Sequence, residues 1–408
     1  MKNKNSVFIN TKIKKFNKAI KIPGDKSCSI RALLFASICI GKSRITNLLE
    51  SEDVLDCVKA LKELGVKIIK KNKIYEVYGN GLASFKTKRK TKIWVGNSGT
   101  LCRILFGFLA TQPGKFYLYG DRSINKRDMS RIIKPLEKVG AFFYPKNKKT
   151  LPLTIEGTSM PMAQNHIENL GSAQVKSCLL ASFLNIPGES SIEEKKISRN
   201  HTEILLKKIS ANIKIKKLKK GNLISIRGQK NLHSFSNYNV GSDPSSAAFL
   251  IALCVMAEDS RLIIHKVICN DTRIGFIKIL KKMNADVKIK NVKRSASSGE
   301  LIGSIIVNSS KLKAVNISKD TAKFIDEIPI LAMCASLAKG ITTFSNIGEL
   351  KHKESDRLLQ VKKILIQAGI KCQTTKNSMK IFGQRKIISK NKSISVENLN
   401  DHRLCLSS

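Results

Sequence analysis

Between Ala32 and Ile40 the chain reads ALLFASICI, small and apolar almost without a break. A stripe of apolar positions marks a helix lying on a core, whereas apolar residues all round mark one buried within it. Pro23-Gly24 close the segment KAIKI before this run. Asp25, Ser27 and Ser29 are residue types that cap a helix start. The pattern predicts a strand end, a tight turn and a buried helix. The same plan returns along the chain. Runs of small and apolar residues open at Gly96 to Ala110, Gly171 to Phe183, Gly241 to Ala257 and Asp326 to Lys339, and a sixth begins at Asp401. After each of the first five comes a strand-like run, such as SRITNLL or KFYLYG. An amphipathic stretch then closes at Gly65, Gly140, Ala211, Ala285 or Gly369.

This regularity predicts a repeated unit of strand, buried helix, strand, amphipathic helix and strand. One such unit cannot bury both faces of its sheet, so units must pack together. Three units around inward-facing buried helices make one domain, and the chain holds two such domains, split near Asn239. By the spacing of the others, the sixth unit closes beyond Ser408 and is expected to be incomplete.

A chain of 408 residues, 42% hydrophobic, is long enough for two sizeable cores. Its first residues, MKNKNSVFINTKIKKF, hold no apolar signal core, and its longest apolar runs are too short to span a bilayer. A cytoplasmic protein is expected. The ten cysteines include no C-x-x-C pair and mostly sit in apolar helix patterns, so they read as small hydrophobes. The 74 Lys and Arg against 30 Asp and Glu leave a net charge of +44. Such a charge points to nucleic acid. However, aromatics are only 6%, and no basic stretch is interleaved with them. Lys, Asn and Ile are abundant throughout, as codons biased towards A and T produce. We read the excess as compositional drift, with small anionic substrates contributing, and set nucleic acid and membranes aside as partners.

The repeat has a geometric consequence. Every buried helix starts at the same end of its unit, and a helix start presents free N–H groups and the positive end of a dipole. Those starts carry Lys26, Ser27 and Arg31; Asn97, Gly99, Thr100 and Arg103; Ser172 and Gln174; Asp243, Ser245 and Ser246; Asp326 and Glu327; and Asp401, His402 and Arg403. The second loops add Arg127, Arg199, His201, Arg273 and Lys351 to Arg357. Convergence of these starts predicts a strongly anion-attracting space. The densest cluster is KHKESDRL, Lys351 to Leu358, with a helix expected from about Ser355. A carboxylate among such cations stays ionised and can exchange a proton with a bound substrate. Gly41-Lys42-Ser43 ends like a phosphate-binding loop but leaves a helix instead of opening one, so that match is spurious. The six histidines lack metal-ligand spacing, and no dinucleotide fingerprint occurs.

In order along the chain, the motifs PGDKSCSIR, GNSGTLCR, NKRDM, GSAQVKS, SRNHTE, GSDPSS, IDEIPILA, HKESDRL and DHR resemble those of the 5-enolpyruvylshikimate-3-phosphate synthase family, over nearly the whole chain. The resemblance implies a two-domain α/β enolpyruvyl-transferase-like fold with three repeated units per domain around an interdomain cleft. One domain covers residues 21–239, the other 1–20 plus 240–408. It implies transfer of the enolpyruvyl group of phosphoenolpyruvate to the 5-hydroxyl of shikimate 3-phosphate, with release of phosphate. By residue-for-residue match, Lys26 contacts both substrates. Ser27, Arg31, Ser172, Ala173, Gln174, Arg199, Asp326 and Lys353 hold shikimate 3-phosphate. Gly99, Arg127, Arg357 and Arg403 hold phosphoenolpyruvate, with Gln174 near both. Asp326 takes the 5-hydroxyl proton, and Glu354 moves the proton at the enol carbon. The family uses no metal or organic cofactor, and a monomer is expected. The small Gly99 implies inhibition by glyphosate.

Two departures stand out. Asp128 occupies a position where the family usually has Pro, and the family's last segment lies beyond Ser408. The alternatives are the UDP-N-acetylglucosamine enolpyruvyl transferase of the same fold, and a basic RNA-binding relative with impaired catalysis. The first is disfavoured by the loop DRSINKRDM, which lacks that relative's cysteine. The second is disfavoured by the intact Lys26, Asp326, Glu354 and Arg357.

Overall fold

The fold is drawn from a computed structural model that describes residue 9 and residues 13–87, 91–384 and 401–408. In chain order, β1 (Asn17–Lys21) leads to α1 (Lys26–Ser37), β2 (Ile40–Thr46), α2 (Glu52–Glu63), β3 (Lys67–Lys71) and β4 (Ile74–Asn80). Next come β5 (Thr91–Trp94), α3 (Gly99–Ala110), β6 (Gly114–Tyr119), α4 (Ser130–Val139), β7 (Phe142–Tyr144) and β8 (Leu153–Gly157). The third set is β9 (Asn165–Glu168), α5 (Ala173–Phe183), β10 (Glu189–Glu194), α6 (His201–Lys208), β11 (Ile213–Lys217) and β12 (Asn222–Arg227). The fourth is β13 (Tyr238–Asn239), α7 (Pro244–Met256), β14 (Arg261–Ile268), α8 (Gly275–Lys282), β15 (Val287–Arg294) and β16 (Leu301–Asn308). The fifth is β17 (Asn316–Ile317), α9 (Ile328–Ser336), β18 (Gly340–Ser345), α10 (Arg357–Gln367), β19 (Cys372–Thr374) and β20 (Ser378–Gly383). After Asp401 comes α11 (His402–Cys405).

Each unit has one strand more than the pattern predicted, because the amphipathic helix leads into an antiparallel pair instead of a single strand. The missed strands are short and end in glycine or a polar residue. Several of those glycines are forced: a Cβ on Gly79, Gly157, Gly228 or Gly383 would stand 2.0–2.3 Å from a carbonyl oxygen at the C-terminal end of that unit's buried helix. The buried helix of each of these units thereby stacks directly on its sheet.

Sheet orders are β13-β2-β4-β3, β5-β6-β8-β7, β11-β12-β10-β9, β1-β14-β16-β15 and β17-β18-β20-β19. Two strands are exchanged. β1 precedes α1 but pairs in parallel with β14, and β13 precedes α7 but pairs in parallel with β2. The buried apolar residues accordingly fall into two clusters. One gathers Cys28 to Val240 with Ile268, the other Ile22 with Ala247 to Leu404. The segment 1–20 expected on the second side is described only from Ile13, apart from Ile9.

Helix α1 shows how the sequence sets these elements. Asp25 is its N-cap, and its Oδ1 accepts from the Cys28 N–H at 2.7 Å. From Cys28 to Ser37 every residue is buried. The helix stops at Ser37, earlier than the apolar run, because Ile40 already begins β2. With 0–6% exposure at their apolar residues, α1, α3 and α5 form the interior of the first cluster. Burying each large aliphatic or aromatic side chain contributes about 1.5–3 kcal/mol, which anchors the helix starts to a rigid interior. Among the described residues, no helix is long and apolar enough to cross a membrane.

Candidate active site

The helix starts of the two clusters meet at one seam, and a carboxylate lies at its centre. Asp326 sits in a short 3₁₀ turn (325–327) ahead of α9 and makes no side-chain cap. Its Oδ2 receives Arg199 Nη2 at 2.7 Å. Its Oδ1 lies 3.2 Å from Lys353 Nζ and 3.5 Å from Arg357 Nη1, and Arg403 Nη2 is 4.0 Å from Oδ2. Arg199 comes from the first core and the other three cations from the second. Burial alone raises a carboxyl pKa, but Lys353, Arg199, Arg403 and Arg357 outweigh it. They hold Asp326 well below the usual carboxylate range.

A second carboxylate stands beside the first. Glu354 Oε2 accepts from Arg357 Nη2 at 2.5 Å, and Oε1 lies 4.0 Å from Arg127 Nη2, which crosses from the first core. Against the upward push of burial, Arg357 and Arg127 hold the Glu354 carboxyl down at about 2. Arg357 is 1% exposed and is itself clamped: Nε and Nη2 reach the Asp401 carboxylate at 2.9 and 3.2 Å. The helix here begins at Arg357 with Asp356 as cap, so Lys353 and Glu354 lie in the preceding loop and not in a first turn. That extended loop lets both side chains reach the seam.

On the facing side, Arg127 Nη2 donates to Asn97 Oδ1 at 2.7 Å, and Arg103 Nη1 donates to Gln174 Oε1 at 2.5 Å. Gly99 lies between them: a Cβ there would be 2.7 Å from Arg103 Nη1, 3.1 Å from Arg127 Nη1 and 3.7 Å from Gln174 Nε2. Ser172 caps α5 by accepting from the Val175 N–H, which leaves Ala173 at the first helical position. Lys26 Nζ pairs with Asp53 at 2.7 Å, with the lysine 31% exposed. Arg31 lies behind Ser27. Its guanidinium donates to Ser27 Oγ, to Thr202 Oγ1 at 2.8 Å and to Ser177 Oγ at 3.0 Å.

One expectation changes. Arg273, grouped with the converging cations, is buried elsewhere, where the chain crosses between cores. It holds Asp25 at 2.9 Å, Asp243 at 3.1 Å and Glu327 at 3.5 Å, and donates to Ser245 Oγ at 2.7 Å. Its partners start α1, α7 and α9, so it ties three helix starts together instead of facing a ligand. Asp128 does not engage Arg127. Its carboxylate accepts from the Ser130 N–H and hydroxyl at 2.7 Å each, just ahead of α4, whose cap position is Met129. Sequence reasoning passed over Asp53, Asp401 as the clamp on Arg357, and the Ser177–Thr202 pair behind Arg31. Only the D-K-S and D-H-R contexts hinted at acidic partners.

One group of possible metal donors occurs among the described residues: Cys28, His201 and Glu300, all buried, with donor atoms within 4.8 Å of one another. Glu300 is already engaged, Oε1 with His201 Nδ1 at 2.7 Å and Oε2 with Asn270 at 3.2 Å. This is a hydrogen-bonded link between the cores. A cavity of about 770 Å³ between α6 and the β15–β16 pair is lined by Glu203, Lys207, Lys208, Asp271 and Arg294, and by none of the seam residues.

Two α/β cores meeting at a cationic seam that encloses two ionised carboxylates define an enzyme for anionic substrates, in which fixed cations offset developing charge. Comparison with known proteins makes the class particular. A profile of EPSP synthase (3-phosphoshikimate 1-carboxyvinyltransferase) matches residues 10–408, and the chain belongs to that family. The 3-phosphoshikimate 1-carboxyvinyltransferase of Caldicellulosiruptor saccharolyticus is 38% identical over 395 residues, 96% of this chain and 89% of that one. That of Oenococcus oeni is 40% identical over 382 residues, covering 93% and 85%. A solved EPSP synthase from Acinetobacter baumannii superposes with a TM-score of 0.82 at 34% identity, over 97% of this chain and 88% of the other.

Proposed function

We propose that the chain transfers the enolpyruvyl group of phosphoenolpyruvate to the 5-hydroxyl of shikimate 3-phosphate and releases phosphate. The observation that carries this reading is the Asp326 carboxylate held at 2.7–4.0 Å by four cations drawn from both cores. On this reading the two buried clusters correspond to domains 21–239 and 1–20 plus 240–408, except that Lys21 and Ile22 pair and pack with the second and Ile268 packs with the first. Shikimate 3-phosphate lies against Lys26, Ser27, Ser172, Ala173, Gln174, Arg199, Asp326 and Lys353. Arg31 steadies the Ser27 hydroxyl from behind. Phosphoenolpyruvate lies against Lys26, Gly99, Arg127, Gln174, Arg357 and Arg403.

The proposed chemistry is addition then elimination. The 5-oxygen bonds to C2 of phosphoenolpyruvate as Asp326 takes the hydroxyl proton, and C3 gains a proton through Glu354, which takes one up from solvent once the bound anions draw Arg357 and Arg127 from it. The tetrahedral adduct then breaks its C2–O bond to phosphate while Glu354 recovers the proton from C3, and the phosphate leaves as hydrogen phosphate with the proton that Asp326 took up. The charge that develops on the phosphate is met by Lys26 and the arginines. Both cores of one chain supply the site, which supports a monomer, and the reaction fits a cytoplasmic enzyme of aromatic amino-acid biosynthesis.

The test is phosphate release by the purified chain given both substrates, with Glu354→Gln as control. Release well above the control is expected. Release no greater than the control would overturn the reading.

A further inference from the structure

The outer face of the second unit's sheet, remote in kind from the seam chemistry, carries five aromatic side chains. In the order β5-β6-β8-β7, the outward positions are Lys92 and Trp94 on β5 and Lys115, Tyr117 and Tyr119 on β6. Thr154 and Glu156 follow on β8, then Phe142 and Tyr144 on β7. Trp94 is 37% exposed, Tyr144 45% and Phe142 61%. Three of the chain's six tyrosines and its single tryptophan are on this one face. The repeat supplies an internal control. The corresponding faces of the other four sheets are mostly charged, polar or aliphatic, Glu76, Glu189, Glu193 and His265 among them, with one Tyr, Phe or Trp at most: Tyr78 on the first and Phe382 on the fifth. The fold therefore does not require rings at these positions.

The rings form two groups, Trp94 with Tyr117 and Tyr119 on β5 and β6, and Phe142 with Tyr144 on β7, with Thr154 and Glu156 of β8 between them. Trp94 meets Tyr119 edge-on at 5.2 Å, Tyr117 stacks with Tyr119 at 5.7 Å, and Lys115 Nζ lies 5.8 Å over the Tyr144 ring. Two acids lie within the face: Glu156, between Lys115 at 3.3 Å and Phe142, and Asp56, which is hydrogen-bonded to Trp94 and lies 3.8 Å from Lys59. The loop leaving Tyr144 adds exposed Lys146 and Lys149.

We propose that this face binds single-stranded nucleic acid, its rings stacking on unpaired bases while the adjoining lysines follow the phosphates. The local charge decides the occupant. Lys92, Lys115, Lys146 and Lys149 on and beside the rings outnumber Glu156 and Asp56, so a second copy of the same face is repelled, whereas a polyanion is attracted. The sequence hid the platform because its rings are separated by up to fifty residues, and only the strand register places them side by side. The proposal stands apart from the transferase site.

Because Trp94 is the only tryptophan, its emission reports on this face alone. The experiment titrates the full chain with 12-nucleotide oligo(U) and oligo(dT), and with heparin as a polyanion without bases. Saturable quenching by the oligonucleotides and none by heparin is expected. Phe142→Ser with Tyr144→Ser should weaken oligonucleotide binding roughly tenfold or more, since each lost base stack is worth that order. Heparin affinity and phosphate release should be unchanged, which certifies the fold. Tighter oligo(U) binding assigns the face to RNA and tighter oligo(dT) binding to single-stranded DNA; either supports the platform. Three results would each overturn it: unquenched Trp94, undiminished binding by the double variant, or a concentration-dependent dimer that the double variant abolishes.

Discussion

Replacing Asp326 by Asn removes one negative charge and almost no volume, so its effects isolate electrostatics. The carboxylate lies 2.7, 3.2, 3.5 and 4.0 Å from Arg199, Lys353, Arg357 and Arg403. At an effective dielectric of about 20, one pair at 4 Å is worth about 4 kcal/mol before desolvation. Breaking a buried ion pair from one side costs about 3–5 kcal/mol. Asp326 keeps 14% of its side chain exposed, so we take the lower end, about 3 kcal/mol. For a core of this size that lowers the thermal midpoint by roughly 6–12 °C. The four cations left without their carboxylate should then bind inorganic phosphate more tightly than wild type, and added phosphate should narrow the gap in midpoint. Turnover should fall by about 10²–10⁴, the range expected when a general base is lost.

The pH dependence of that stability gap has a definite sign. The folded carboxyl is held below its ordinary value, so its contribution is complete above about pH 4 and is lost as pH falls through the folded value. Wild type and variant should therefore converge on acidification below pH 4. The assay is thermal unfolding with and without phosphate, paired with phosphate-release kinetics. Equal midpoints at pH 7, or turnover within threefold of wild type, would refute the reasoning.

Three further outcomes follow from the geometry. Arg273→Leu should destabilise the chain by about 3–5 kcal/mol in urea unfolding, because it strands Asp25, Asp243 and Glu327 as buried carboxylates; an unchanged midpoint would show that the cluster does not hold the helix starts. Gly99→Ala should raise KM for phosphoenolpyruvate several-fold more than it lowers kcat, since the new methyl presses on the Arg103 and Arg127 guanidinium groups; an unchanged KM would separate Gly99 from the substrate. Arg357→Lys should lower kcat/KM at least tenfold, because a lysine cannot reach Asp401, Glu354 and Asp326 together, and steady-state kinetics near wild type would contradict this.

The repeat was legible because burial imposes a pattern: beyond their first turn or two, α1, α3, α5, α7 and α9 are almost entirely small or apolar. The helix starts proposed to meet the substrates were legible for the same reason, since Lys26, Gly99 and Asp326 interrupt the apolar pattern. Long-range pairing was hidden. Nothing local in KAIKI says that β1 leaves its own unit to lie beside β14, a partner more than two hundred residues away. Arg273 and Arg199 look alike in sequence, each an arginine in a second loop. Only the fold turns Arg199 to the seam and encloses Arg273 among Asp25, Asp243 and Glu327. The second hairpin strands were missed because the stretches carrying them, such as LTIEG and SMKIFG, are too short for periodicity to register.

The resting electrostatics pose a problem that substrate chemistry resolves. A base must be able to accept a proton, yet Asp326 lies far below the usual range and Glu354 at about 2. In that state neither carboxylate takes a proton well near neutrality. The cations responsible are the same ones proposed to hold the substrates: Arg199 and Lys353 for shikimate 3-phosphate, Arg127, Arg357 and Arg403 for phosphoenolpyruvate. An arriving phosphate or carboxylate competes for their hydrogen bonds, and each bond it takes is withdrawn from Asp326 or Glu354. Losing one such partner raises a carboxyl pKa by a unit or more. The seam's excess of positive charge thus acts twice. It keeps the free enzyme's carboxylates ionised and its two cores bridged. On the proposed mechanism, anion binding raises both carboxyls, so that Asp326 can take the 5-hydroxyl proton and Glu354 can carry a proton to and from C3.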